Sequence, residues 1–220
     1  MLKDGEKGVV LQRDKKTYAI VPHLPLGLIT PDQLRKIADV ADKYKPATLK
    51  ITSAARIAII GIKEEDIDQA WADLGDMQPG AATGLCVRSV KACPGNTVCR
   101  LGQQDAIGLG TELDRRYHGY QLPNKFKMGV SGCPNQCGES SVKDLGFIGK
   151  AKGWTVVVGG NAASRPRIGE VLTEGLTTEE ALQVSENILR YFAKNGKKGE
   201  RLGRFIDRMG FDTFKEAILP

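Results

Sequence analysis

Four of the five cysteines lie in one stretch, as two short pairs: Cys93-Pro-Gly-Asn-Thr-Val-Cys99 and Cys133-Pro-Asn-Gln-Cys137. A fold that returns to one place after the long excursion between the pairs has few options. Four thiolates set by one five-residue and one three-residue spacer can close around a metal centre. The wide first spacer suits an iron-sulfur cluster, since zinc sites usually keep paired ligands about two to four residues apart. An odd number of cysteines fits a disulfide framework poorly, and in a reducing compartment paired cysteines are metal ligands more often than disulfides.

At 220 residues, with 41% hydrophobic and 6% aromatic content, the chain has the length for one large or two small globular domains. The first twenty residues carry Lys3, Asp4, Glu6, Lys7, Arg13, Asp14, Lys15 and Lys16 without an apolar run. Neither a signal peptide nor a membrane span is therefore expected, and cytoplasm is the default compartment.

The net charge of +6 is unevenly placed. Residues 86–100 hold Arg88, Lys91 and Arg100 with no acid, and residues 121–168 hold seven cations against Glu139 and Asp144. These stretches sum to +8, leaving −2 for the remainder. Basic charge gathered around the cysteines points to an anionic ligand. No stacking motif or nucleic-acid module accompanies it, so nucleic acid is not the expected partner.

From the N-terminus, Thr17–Val21 reads as a strand stopped by Pro22. Thr30-Pro31-Asp32-Gln33 reads as a helix start, with a capping box and proline in the first turn. Leu34, Ile37, Ala38, Ala41 and Tyr44 then give one apolar face. Residues 48–52 and 56–62 read as strands, followed by a helix with Ile67, Ala70, Trp71 and Leu74 inward and Gly75 as its stop. Residues 78–84, with Pro79, Gly80 and Gly84, read as a linker, giving domains 1–77 and 78–220.

In the second part a helix is expected over 99–117, through Ile107, Leu109, Leu113 and Tyr117. Gly108 and Gly110 weaken it by about 1 kcal/mol each, and close packing against a flat cofactor would explain them. Residues 125–130 alternate strictly, which puts Phe126, Met128 and Val130 on one face and Lys125 and Lys127 together on the other. Trp154–Val158 is a strand ending in Gly159-Gly160-Asn161. Thr177 and Glu180 box the start of a helix to about Lys194, with Leu182, Ile188, Leu189 and Phe192 inward. Beyond a break at 196–199, Leu202, Phe205, Ile206 and Met209 mark a further helical piece, and Phe211–Ile218 is expected to pack back. There is no internal repeat or low-complexity segment.

Around the cysteines the chain resembles the siroheme-dependent nitrite and sulfite reductases, in which a [4Fe-4S] cluster shares a cysteine thiolate with siroheme iron. The matching text is Arg88-Ser-Val-Lys-Ala-Cys-Pro-Gly through Cys99-Arg-Leu-Gly, Leu122-Pro-Asn-Lys-Phe-Lys, Ser131-Gly-Cys-Pro-Asn-Gln-Cys-Gly and Val158-Gly-Gly-Asn. It covers most of residues 86–170. The resemblance implies an α+β fold: a ferredoxin-like half-domain, then a mixed α/β siroheme and [4Fe-4S] domain. Family members commonly carry two such halves in tandem, whereas this chain has one, so a homodimer is a corresponding expectation.

The resemblance also implies residue roles. Cys93, Cys99, Cys133 and Cys137 match cluster ligands, with Cys137 at the position bridging to siroheme; structural zinc or buried thiols are the competing readings. Cys86 matches no ligand and reads as a small buried hydrophobe. Lys125 and Lys127 match a lysine pair that contacts the substrate anion, and Arg88 an arginine of the same pocket. Arg56, in Thr52-Ser-Ala-Ala-Arg-Ile, follows the nitrite-type form of its segment, while the sulfite-type arginine would stand where this chain has Ala54. Asn161, Arg165 and Arg167 fall where the family holds siroheme carboxylates.

Six-electron reduction of sulfite to sulfide, or of nitrite to ammonia, needs an anion bound beside an electron-rich iron, and protons as oxygen leaves as water. Arg and Lys offset the repulsion, and Lys is the better proton donor because its pKa moves readily when desolvated. Gly108-Leu-Gly110 lacks the third glycine of a dinucleotide fingerprint. Electrons are therefore expected from a ferredoxin or another donor protein. Sulfite is the expected substrate, nitrite the alternative, and a siroheme or iron-sulfur electron carrier without turnover a second class.

Overall fold

The computed structural model describes residues 1–219 and divides the chain into two compact units, residues 1–84 and the residues from Leu85 onward. In the first unit β1 (Val9–Leu11), β2 (Thr17–Ile20), β3 (Thr48–Ile51) and β4 (Ile57–Lys63) form an antiparallel sheet of order β1-β2-β4-β3. Two helices accompany it, α1 (Pro31–Tyr44) and α2 (Ile67–Leu74).

The α1 start is the one read from sequence. Thr30 Oγ1 accepts from the Gln33 N–H at 3.2 Å and the Thr30 N–H donates to Gln33 Oε1 at 3.0 Å, so two orphan donors are satisfied reciprocally. Tyr18, Ile20, Ile37, Val40, Ile59, Ile62, Ile67 and Leu74 share one buried core. Each large apolar side chain contributes about 1.5–3 kcal/mol by leaving water. Leu34 sits outside this core, at 46% exposure, so the apolar stripe starts one turn later than the periodicity suggested. Residues 78–80, read above as linker, run beside the end of β2: Pro79 bridges Pro22, and the Gly80 N–H donates to the Val21 carbonyl.

The second unit is built on a sheet of order β5-β6-β7-β8-β9: β5 (Val87–Ala92), β6 (Phe126–Ser131), β7 (Leu145–Lys150), β8 (Gly153–Val158) and β9 (Glu170–Leu176). The first three strands are parallel, and the last two pair antiparallel. Helix α3 (Ala106–Tyr117) crosses over from β5 to β6 and packs on both. Helices α4 (Thr178–Asn195), α5 (Leu202–Met209) and α6 (Phe211–Ile218) follow. Phe126, Met128, Phe147, Trp154 and Val156 are fully buried. Edge-on and tilted ring pairs, Phe126–Phe192, Phe192–Phe205 and Phe205–Phe214, tie β6 to α4, α5 and α6. The tail therefore packs back as expected.

Two expectations are corrected. Helix α3 begins at Ala106, not near Cys99, because Asp105 caps it by accepting from the Gly108 N–H at 2.8 Å. Gly108 is explained by the same cap: a Cβ there would lie 2.3 Å from Asp105 Oδ2, so the glycine makes room for a carboxylate and not for a cofactor. Strands β5, β7 and β9 were not read from sequence. In β7, five of six residues are buried, so Leu-Gly-Phe-Ile-Gly-Lys has no in-out alternation to recognise.

At the other end of α1, Lys45 holds a left-handed conformation (φ 48°, ψ 53°), where a Cβ is penalised. Replacing Lys45 with Gly should raise stability by about 0.5–1 kcal/mol, read as a higher urea midpoint at unchanged m-value.

Candidate functional site

The four candidate cysteines stand on two loops at the C-terminal ends of neighbouring parallel strands. Cys93 follows β5 and Cys133 follows β6. Val130 pairs with Ala92, and the Cys93 N–H donates to the Val130 carbonyl at 3.0 Å. The loops are knitted by backbone: the N–H groups of Gln103 and Gln104 both donate to the Gly132 carbonyl, at 2.7 and 3.0 Å, and that of Asn96 donates to Gln104. The Gly132 N–H donates to Cys93 Sγ at 3.1 Å, the kind of contact that tunes a metal centre bound to the sulfur. Cys133 is buried, Cys93 and Cys99 are half-buried, and Cys137 is exposed. Among the described residues no three His, Cys, Asp or Glu side chains converge closely enough to hold a single metal ion.

Strand β6 presents the two faces read from its alternation. Phe126, Met128 and Val130 are fully buried, while Lys125 and Lys127 are half-buried on the other face with Gly129 and Ser131. The loop carrying Cys137 lies back over this second face. A Cβ on Gly129 would stand 2.7 Å from the Gly138 carbonyl oxygen and 2.7 Å from Lys143 Cγ. Ser131 and Ser140 share a buried hydroxyl hydrogen bond at 2.8 Å, and the Gly138 N–H donates to Ser131 Oγ at 3.0 Å. Lys125, Lys127 and the Cys137 loop thus share one side of the sheet.

The charges on this side form a basic field with two placed acids. Glu139 bridges Lys143 at 2.7 Å and Lys91 at 2.5 Å, which together hold its carboxyl down to about 2. Asp144 is fully buried and receives the Arg201 guanidinium on both oxygens, at 2.9 and 2.6 Å, while its Oδ2 also accepts from the Lys127 N–H at 2.8 Å. Burial pushes the Asp144 carboxyl up, and the Arg201 fork opposes this. Lys127 is displaced downward, by desolvation first and then by Lys143, Arg201 and Lys125. Arg88 is also lowered, by burial first. An ammonium so placed gives up a proton more readily than one in water.

Residues 83–220 match the family model described as the nitrite and sulphite reductase 4Fe-4S domain, and residues 10–77 match the nitrite/sulfite reductase ferredoxin-like half domain. The chain belongs to the nitrite and sulfite reductase family. It is 44% identical to an assimilatory-type sulfite reductase of Nitratidesulfovibrio vulgaris, over 99% of this chain and 100% of that protein. To a nitrite reductase (NAD(P)H) of Bacillus subtilis it is 42% identical over 94% of its own length, but spans only 26% of that protein. The solved structure of the Mycobacterium tuberculosis NirA protein shares the fold, with a TM-score of 0.82 at 22% identity, over 98% of this chain and 43% of that one.

In this family member the three residues read as carboxylate holders gather at one cavity of about 520 Å³, lined by Asn161, Arg165, Arg167, Arg201, Arg204 and Asp207, among others. Their duties differ. Arg167 is committed to Asp207, Glu170 and the Gly159 carbonyl. Asn161 pairs by backbone with Arg167, and its amide donates to the Arg165 carbonyl at 3.2 Å, so it shapes the loop that presents Arg165. Arg165 and Arg204 are exposed at the cavity. Arg56 belongs to the first unit, where it is 5% exposed and packs against Gly80. Cys86 is buried, as read.

Sequence reasoning missed Lys91, Lys143, Glu139, Asp144, Arg201 and Arg204 as site residues. The local excess of positive charge already included Lys91 and Lys143. The 57-residue separation of Asp144 from Arg201 leaves no local signal.

Gly132 locks the cysteine loops: a Cβ there would stand 2.6 Å from Gly95 Cα and 2.8 Å from the Gln104 carbonyl oxygen. Gly132→Ala should cost about 1–3 kcal/mol in urea unfolding, since both obstacles are backbone or flush against it.

Proposed function

We propose that this protein is a sulfite reductase that takes sulfite to sulfide by six-electron reduction, with siroheme coupled to a [4Fe-4S] cluster. The observation carrying the proposal is the exposed Cys137 on a loop that overlies the strand face bearing Lys125 and Lys127. Cys93, Cys99, Cys133 and Cys137 would hold the cluster, and Cys137, the exposed thiol, would be shared with siroheme. The residues present fit both groups. Four thiols on interlocked loops, one already accepting a backbone N–H, are a donor set for an iron-sulfur cluster. The arginine-lined cavity suits a polycarboxylate, with Arg165 and Arg204 facing it and Asn161 and Arg167 holding its rim. When bound, these groups would relay electrons from a donor and provide an iron for the substrate.

The chain's own residues do the rest. Lys125, Lys127 and Arg88 offset the charge of the incoming anion, and hydrogen bonds from them follow negative charge as it develops on substrate oxygen. Lys127, desolvated and crowded by cations, is the proton donor in this reading. Arg88 stays protonated and serves as a fixed charge.

Sulfite is favoured over nitrite by the full-length likeness to an assimilatory-type sulfite reductase. Nitrite remains the second reading, because the segment around Arg56 has the nitrite-type form and a nitrite reductase is nearly as similar. A ferredoxin or another donor protein would supply electrons, and pairing of two chains to provide a second half belongs to the same proposal.

Parallel steady-state kinetics with a reduced viologen dye test this. Protein loaded with siroheme and four irons per chain should turn over sulfite with a higher kcat/KM than nitrite. Lys127→Ala should lower kcat/KM for sulfite by about tenfold or more, equal to about 1.4 kcal/mol of transition-state stabilisation. Fully loaded protein without sulfite turnover would refute the assignment.

A further inference from the structure

We propose that Asp144, paired with Arg201, is a positioning residue for Lys127: it fixes the strand from which that side chain projects and supplies the carboxylate that balances the cations around it. The inference rests on Lys127 belonging to the anion site. Its geometry is specific. One carboxylate, fully buried, spends one oxygen on Arg201 alone and the other on both Arg201 and the Lys127 backbone N–H. A guanidinium forked on both oxygens favours the carboxylate form and opposes the upward push of burial. Through its own carbonyl, Asp144 also accepts the Gly159 N–H at 2.8 Å, so it joins β6, the end of β8 and the segment entering α5.

The electrostatic role follows from the surroundings. The charged groups that act most on Lys127 are Lys125, just before its own strand, Lys143 and Asp144 ahead of β7, and Arg201 before α5. Arg88, on β5, is within electrostatic reach of Arg201. Glu139 is the next acid out and is committed to Lys91 and Lys143. Desolvation, Lys143, Arg201 and Lys125 all act against the ammonium form of Lys127, and Asp144 opposes them. Removing its charge while Arg201 stays would leave the ammonium among cations only. The proton would then be lost at lower pH, and the anion site would lose a positive charge where it is needed.

A purely mechanical role for Asp144 predicts something different. It would lower stability and the rate at every pH, without moving the titration of one lysine. Competitive acetylation of the purified holoprotein with acetic anhydride separates the two. The rate at Lys127 across pH is read by peptide mass spectrometry against exposed Lys194. In Asp144→Asn the Lys127 midpoint should move to lower pH, with severalfold faster labelling at pH 8, and the alkaline limb of kcat/KM for sulfite should move the same way. Asp144→Glu, which keeps the charge, should move it less. The double variant Asp144→Asn/Arg201→Gln removes one charge of each sign and should bring the midpoint back toward wild type, and it decides alone if the single Asn variant does not fold. An unchanged Lys127 midpoint in folded Asp144→Asn overturns the proposal, as does a double variant that labels no closer to wild type than Asp144→Asn or, tested alone, far from it. Labelling needs no substrate, so its outcome stands apart from whether sulfite is turned over.

Discussion

A loop can lie flat against a β-sheet only where the sheet has no side chains in the way. Gly129 on β6, Gly146 on β7 and Gly160 beyond β8 provide that bare strip. A Cβ at these positions would stand 2.7 Å from the Gly138 carbonyl oxygen, 2.1 Å from the Ser140 carbonyl oxygen and 2.5 Å from the Ser141 carbonyl oxygen, respectively. The segment from Cys133 to Asp144 therefore returns across the polar face of the sheet. That one constraint brings Cys137 over the strand that carries Lys125 and Lys127, and sets Lys143 and Asp144 beside them. Phe126, Met128 and Val130, facing the other way, anchor the same strand in the core. Site and core are thus two faces of β6, and the alternation of side chains along a strand keeps them apart.

The electrostatics follow from the same placement. Six cations, Arg88, Lys91, Lys125, Lys127, Lys143 and Arg201, share this side with two acids, Glu139 and Asp144, both of them paired. A field of this sign attracts a small anion, and the partial burial of Lys127 makes its charge responsive to neighbours. The buried Asp144–Arg201 pair is weak evidence for stability, because desolvation consumes much of what the pairing gains. Its value lies in fixing where two charges stand relative to a third.

Much of this was legible in the sequence. The capping boxes at Thr30 and Thr177 fixed two helix starts, since a local motif determines a local structure. The alternation through Phe126, Met128 and Val130 told which way Lys125 and Lys127 point. Other parts were hidden for physical reasons. Strand β7 is buried throughout its first five residues, and no amphipathic period marks it. Helix α3 starts later than the sequence reading because no proline marks a break in residues 100–105 and the true start depends on one side chain, Asp105. The ion pairs of Asp144 with Arg201 and of Glu139 with Lys91 span 57 and 48 residues, and pairings of that range are set by topology and not by neighbours in the chain.

We propose that the cysteine loops and the basic face of β6 make one site. Optical titration of the anaerobic, fully loaded protein with sulfite tests it most directly, comparing wild type with the Lys125→Ala/Lys127→Ala variant at matched iron content. A single coupled site predicts a saturable change in the visible spectrum of the wild type and a much weaker apparent affinity in the variant. Equal affinities in the two proteins would show that the lysines do not face the anion bound at the iron, and would contradict the account.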